Sequence, residues 1–236
     1  MKYYVFDLYG TLVDIRTDEY SQKFKEKYQK YLSKNYGADG TFFERFTESL
    51  NSFTGFTEPD IVHVLHGCVI ASGGNMSEKE AEAAAVHFRK LSTHKLRLYR
   101  GARKLLKGLK SKGAKIYLLS NAQAAFTVPE LKKLGIYGYF DGIELSSDFG
   151  EKKPSPSFFK HVIAKYGLDV SKTVYTGNDI SSDIVPAKNA GMCAVYIKSG
   201  ISPADDSLAE AGKIADFLYE GNFSAVAQRL LALSKS

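Results

Sequence analysis

Four groups of polar residues could do chemistry together: Asp7 with Thr11, Ser120 with Asn121, Lys152 with Lys153, and Asn178, Asp179 and Asp183. A carboxylate such as Asp7 can attack phosphorus or carbon and form an ester that water then cleaves. Lys153 would neutralise charge on the attacking and transferred groups. Mg²⁺ held by Asp7 and an acid of the last group would offset the repulsion between an anionic nucleophile and an anionic substrate. The hydroxyls of Thr11 and Ser120, with backbone N–H groups, would hold phosphoryl oxygens, and phosphoryl transfer mostly requires such positioning. Taken singly, each group has an ordinary reading as an Asx turn, a helix cap or an exposed loop. Three of the four stand at the ends of apolar runs, and open α/β sheets place ligands at the C-terminal ends of their strands.

The elements that must position these groups alternate. Tyr3 to Phe6, with Leu8 just past Asp7, reads as a buried strand, and Gly10 marks the turn behind it. From Tyr99 onward the chain reads as helix Arg100–Lys112, strand Lys115–Leu119, helix Val128–Leu134 and strand Ile143–Leu145. Helix Pro156–Tyr166, strand Thr173–Thr176, helix Ser182–Ala190 and strand Cys193–Ile197 follow, then strand Asp216–Tyr219 and a final helix capped by Ser224. Strands alternating with helices imply βαβ units and a parallel sheet. The first strand needs that sheet for partners, so residues 1–15 and 98–236 are expected to form one α/β core.

Residues 16–97 read as entirely helical. Tyr20, Phe24, Tyr28, Tyr31 and Leu32 fall at helical spacing, as do Phe42, Phe43, Phe46, Leu50 and Phe53. Pro59 opens a third helix through Val69, and Ser77 with Glu80 forms a capping box for a fourth. This block is expected to be an insertion seated above Asp7, with hinges at Asp14–Thr17 and Leu96–Tyr99. Its aromatics suit a core of its own better than a substrate cage. His63 and His66 stand three apart with no acid that completes a metal site, and packing or solvent is the better reading.

Composition sets the outer bounds. Apolar residues make up 44% of 236 and charged residues 25%, enough for a core and against disorder. The net charge of +6 attracts anions, but no basic run exceeds two residues, which argues against a nucleic-acid partner. Cys68 and Cys193 stand far apart among apolar residues, as buried thiols of a reducing compartment would. No signal peptide or spanning stretch is legible, so a soluble cytoplasmic protein acting on a small anionic molecule is expected. The oligomeric state is not legible.

The set resembles the haloacid dehalogenase-like (HAD) hydrolase superfamily. Its first motif, Asp-x-Asp-x-Thr, is Asp7-Leu8-Tyr9-Gly10-Thr11 here; its second ends a strand at Ser120; its third is Lys153-Pro154. Its fourth is Gly177-Asn178-Asp179-Ile180-Ser181-Ser182-Asp183, followed by Ala187 to Met192. The resemblance implies a Rossmann-like core, a helical cap after the first motif, and Asp7 as nucleophile with Thr11, Ser120 and Lys153 as catalytic partners. Asn121, Thr11 and Ser120 would meet substrate. Mg²⁺ would lie near Asp7, the Tyr9 carbonyl, Asp179 and Asp183, with Asp179 favoured over Asp183 and Asn178 for direct contact.

One departure divides the family's chemistries. The family's phosphatases use the second acid of the first motif as general acid and base, and here that residue is Tyr9. Losing such a group typically costs on the order of 10²–10⁴ in rate. A halide leaving group needs no proton, and the metal-independent 2-haloacid dehalogenases carry Tyr before Gly-Thr as this chain does. They also resemble one another in a Tyr six residues after the Lys, where this chain has Phe159, and in an Arg early in the cap, where Asp18–Asn35 offers only Lys. A Mg²⁺-dependent phosphatase is therefore favoured, with the dehalogenase as rival. A catalytically weak member that binds a phosphorylated ligand is a third reading; retention of Asp7, Lys153 and Asp179 argues against it.

Overall fold

The computed structural model describes residues 2–221 and 223–234. β1 (Tyr3–Phe6) leads through the Asp7–Thr11 loop into β2 (Val13–Thr17). Four helices follow: α1 (Gln22–Tyr36), α2 (Phe42–Ser52), α3 (Ile61–Ala71) and α4 (Glu78–Ser92). β3 (Thr93–Leu98) returns the chain to α5 (Ala102–Ser111), β4 (Lys115–Ser120) and α6 (Ala124–Lys133). β5 (Gly142–Leu145), α7 (Ser146–Phe149), α8 (Pro156–Tyr166), β6 (Thr173–Gly177) and α9 (Val185–Asn189) come next. β7 (Cys193–Lys198), α10 (Leu208–Ile214), β8 (Phe217–Glu220) and α11 (Phe223–Leu233) complete the order.

Six strands form one parallel sheet in the order β5-β4-β1-β6-β7-β8. β1 lies inside it, with Tyr3 opposite Lys115 on one side and Thr173 on the other. Alternate residues of β1 face opposite layers, as the pleat requires. Tyr4 and Phe6 pack with Leu105, Leu109 and Val226 from α5 and α11, and Val5 packs with Phe158 and Ala187 from α8 and α9. A sheet covered on both faces explains why its strands read as continuous apolar runs. The Rossmann-like parallel core expected from the alternation is the one observed.

The 16–97 stretch is not wholly helical. Its ends are β2 and β3, an antiparallel ribbon in which Val13 faces Leu98 and Ile15 faces Leu96. Both stretches expected to act as hinges are thus paired strand. Alternation in Thr-His-Lys-Leu-Arg-Leu is the signal, hidden by polar residues on the solvent side, and Lys95 and Arg97 both reach Asp14, at 2.6 and 3.0 Å. Between the strands, α1–α4 pack around their own core of Phe24, Tyr28, Phe42, Leu65 and Phe88, which Phe126 of α6 joins. The Ser77–Glu80 capping box opens α4 as expected, and Asp60 caps α3 with Pro59 lying outside it.

Other boundaries move for local reasons. α6 starts four residues before Val128 and runs through Pro129. A π-helical turn at Ile180–Ile184 precedes α9 where one continuous helix was expected. Ser224 lies within the first turn of α11 and not ahead of it. α7 and α10 were not anticipated. His66 meets the Met76 carbonyl at 2.8 Å while His63 lies exposed beside Asp60. No helix of the described residues is long and apolar enough to cross a membrane.

Candidate active site at the ends of the central strands

Asp7 follows β1 directly, its N–H donating to the Thr176 carbonyl at 2.9 Å. The chain then reverses sharply, with the Leu12 and Val13 N–H groups donating back to the Leu8 carbonyl. Gly10 takes a φ of +87°, and a Cβ there would lie 2.3 Å from the Asn178 amide. Glycine is required on both counts. Gly177 is required by contact alone, since a Cβ would meet the Asp183 carboxylate at 2.3 Å.

Asp7 is 6% exposed and each of its oxygens has its own partners. Oδ1 accepts from the Ser120 hydroxyl at 3.0 Å and from the Lys153 ammonium at 2.8 Å. Oδ2 accepts from the Thr11 hydroxyl at 3.2 Å. Lys153, 3% exposed, also donates to Asp183 Oδ1 at 2.6 Å and to the Tyr175 phenol at 3.2 Å. Burial opposes the Lys153 charge, but the Asp183 and Asp7 carboxylates outweigh it and hold the ammonium protonated. Asp183 accepts further from the Tyr175 hydroxyl at 2.8 Å and from the N–H groups of Asn178 and Asp179. Burial pushes the Asp183 carboxyl up to about 6 despite Lys153, and Asp7 adds to the push.

Asp7, Thr11, Ser120, Lys153 and Asp183 therefore meet in one buried cluster. Asn121 stands one step back: it accepts from the Lys153 N–H at 2.6 Å and donates to the Lys153 carbonyl at 3.0 Å, clamping that residue's backbone. Asp179 caps the π-helical turn, one oxygen accepting from Ser181 and Ser182 N–H groups at 2.8 and 2.9 Å. Burial raises the Asp179 carboxyl, but those hydrogen bonds outweigh it and leave it lowered. The Tyr9 phenol does not enter the cluster. It donates to Glu130 Oε2 at 2.5 Å and meets Thr127 at 3.1 Å, while Arg89 lies over its ring and bonds Glu130 at 2.7 Å. Burial, with Glu130 beside it, pushes the Tyr9 phenol well up.

One residue of the cluster, Tyr175, escaped the sequence reading, and another, Asn178, was ranked behind Asp179. Tyr175 lies in buried β6 and packs against Phe159; its one signal was a hydroxyl in a buried strand, which needs a partner. Asn178 lies against Asp7 and the Tyr9 carbonyl. Its terminal amide atom sits 3.0 Å from Tyr9 O, 3.2 Å from Thr11 Oγ1 and 3.3 Å from Asp7 Oδ2. With nitrogen at that point the amide donates to all three; with oxygen there, the carboxylate, carbonyl and amide oxygens converge and a cation is what would hold them together. Hard oxygen donors suit Mg²⁺, so the residues present fit that ion. Among the described residues no three His, Cys, Asp or Glu side chains converge on such a site, so the fit depends on the Tyr9 carbonyl and Asn178.

Comparison with known proteins places this geometry. A family model described as haloacid dehalogenase-like hydrolase matches residues 1–191. A glyceraldehyde 3-phosphate phosphatase from Methanocaldococcus jannaschii is 32% identical over 127 residues, 54% of this chain and 56% of that protein. A phosphoglycolate phosphatase from Nitrosococcus oceani is 33% identical over 109 residues, 46% of this chain and 48% of that one. The matches thus span about half the length of these curated relatives. In fold, the chain resembles a HAD phosphatase from Thermococcus onnurineus (TM-score 0.63, 21% identity) and a 2-haloacid dehalogenase from Pseudomonas syringae (TM-score 0.63, 20% identity), with 98% of each chain covered in both cases.

Proposed function

Because the chain belongs to the haloacid dehalogenase-like hydrolase family, we propose that it is a Mg²⁺-dependent phosphatase of a small phosphorylated metabolite, working through a phosphoryl group carried on Asp7. The observation that carries this reading is the division of labour at Asp7. Oδ1 faces Ser120 and Lys153, and Oδ2 faces Thr11, Asn178 and, through Asn178, the Tyr9 carbonyl. In this reading Oδ1 bonds to phosphorus as the bond to the leaving alcohol breaks. Water then cleaves the acyl phosphate, releasing phosphate and restoring the carboxylate. Lys153 keeps Oδ1 aimed and offsets negative charge; Thr11 and Ser120 hydroxyls hold phosphoryl oxygens. Mg²⁺, when bound by Asp7 Oδ2, the Tyr9 carbonyl and the Asn178 amide oxygen, would supply further charge neutralisation. Asp183, and Asp179 beside it, act here by setting Lys153 and the turn. Residues 16–97 are the cap over the site, and a cytoplasmic setting accompanies a metabolite substrate. The curated relatives' names, glyceraldehyde 3-phosphate and phosphoglycolate phosphatase, support a phosphate ester as substrate.

The second reading, a metal-independent 2-haloacid dehalogenase, is favoured by one observation: the Tyr9 phenol is committed to Glu130 and stands where the phosphatases keep a proton donor. A paired assay separates the two. Phosphate release from an aryl phosphate is followed with Mg²⁺ and with chelator, and halide release from a 2-haloacid without metal, each beside Asp7→Asn. Mg²⁺-dependent phosphate release that vanishes in the variant is expected. Metal-free halide release without phosphate release would overturn the proposal.

A further inference from the structure

The chemistry of Asp7 leaves open what the phosphate is attached to, and a cavity of about 280 Å³ beside the cluster bears on that. Its wall includes Tyr9, two residues past the nucleophile, and Asn121, next to Ser120 and bonded to Lys153. Two carboxylates, Glu19 and Glu58, also line it, and Arg89 is the one cation among the lining residues described. That cation is already engaged. Its guanidinium bonds Glu130 at 2.7 Å and Glu19 at 3.3 Å and lies over the Tyr9 and Phe126 rings. Glu58 takes one hydrogen bond, from Gln123 Nε2 at 2.7 Å, and burial raises its carboxyl, with Gln123 and a distant Lys152 only partly opposing. The wall therefore offers acceptors and amides but no unengaged positive charge.

We propose that the part of the substrate beyond the phosphate is an uncharged, hydroxyl-bearing group, and that Glu19 and Glu58 exclude tails carrying a second negative charge. The inference rests on the phosphatase reading of the same site. A tail carboxylate entering this cavity would face Glu58 and a Glu19 whose charge Arg89 offsets only in part, because Glu130 shares that guanidinium, at partly buried positions where repulsion is screened less than in water. A hydroxyl could instead donate to Glu58 or accept from the Asn121 amide, and a neutral tail desolvates at lower cost.

The test compares two esters that differ at the tail alone. Glycerol 3-phosphate ends in a hydroxymethyl group and 3-phosphoglycerate ends in a carboxylate, so the reacting ends match. An aryl phosphate serves as the control for hydrolysis itself. The expected result is kcat/KM about tenfold to a hundredfold higher for glycerol 3-phosphate. Glu58→Gln and, separately, Glu19→Gln should each narrow that ratio by about three- to tenfold, chiefly through KM for the carboxylate ester. Equal or reversed preference, or ratios untouched in both variants, would overturn the inference while phosphate release stands. Silence on all three esters from the folded protein would overturn the phosphatase reading and this inference together.

Discussion

Replacing Lys153 with methionine removes the one cation shared by Asp7 and Asp183 while keeping most of the side chain's volume. The ammonium lies 2.8 Å from one carboxylate and 2.6 Å from the other, and the three side chains are 2%, 9% and 1% exposed. Breaking a buried pair by deleting one partner costs about 3–5 kcal/mol, because the surviving charge stays buried. Part of that loss should be recoverable with acid. Burial already holds the Asp183 carboxyl up to about 6, so its folded form binds more protons than the unfolded chain between that value and the ordinary carboxyl range. Stability from such a group is present at low pH and declines as pH rises through the folded value. An adjacent cation lowers a carboxyl by about 1–3 units, so losing it raises Asp183 by a similar amount, each unit being worth about 1.4 kcal/mol. Urea unfolding in chelator is expected to show Lys153→Met less stable than the parent by about 3–5 kcal/mol near pH 7.5, with about 1–2 kcal/mol of the gap closed near pH 5.5. A gap below about 1 kcal/mol, or one independent of pH, would refute the reasoning that a single ammonium holds two buried carboxylates apart.

Asn178→Asp puts a carboxylate where an amide lies against Asp7 and the Tyr9 carbonyl. In chelator its Tm is expected to fall by about 2–6 °C, and Mg²⁺ should raise it by more than in the parent. The same Mg²⁺ shift in both proteins, read by calorimetry, would remove Asn178 from the metal site. Glu130→Leu removes the acceptor that the Arg89 guanidinium and the Tyr9 phenol share, leaving them Glu19 and Thr127, and should cost about 2–4 kcal/mol. Adding Arg89→Met should cost less than the sum of the two single changes, and strict additivity in denaturant unfolding would mean the pair is not coupled.

What was legible in the sequence was local. β1, β4 and β6 announce themselves as apolar runs, and Asp7, Ser120 and Gly177 are legible because each ends its strand or directly follows it. The Ser77–Glu80 cap is likewise written within four residues. The rest depends on contacts across the chain. Tyr175 reads as one more aromatic until Lys153 and Asp183 are folded against it. Of Asn178 and Asp179 the sequence favours the acid for metal contact; the turn sends Asn178 toward Asp7 and engages one Asp179 oxygen with its own N–H groups. Nothing near Tyr9 in sequence foretells Glu130, since α6 brings it there from 121 residues away. The β2–β3 ribbon was missed because its pairing is likewise long-range and its outer face polar.

The placement of β1 inside the sheet has a consequence for assembly during synthesis. Its neighbours are β4 and β6, so Tyr3 waits for Lys115 and Thr173 to be made before its backbone is paired on both sides. The helices α1–α4 meanwhile draw on Phe24, Tyr28, Phe42 and Phe88, all close in sequence, and most of their core is complete within that stretch. A chain emerging from the ribosome thus carries the Asp7 carboxylate before there is an ammonium beside it or a sheet around it. The cluster is complete only when the strand ending at Gly177 is paired beside β1 and Asp183 meets Lys153. A chain cut short of Lys153 and Asp183 holds Asp7 without the ammonium and the second carboxylate that the fold sets around it.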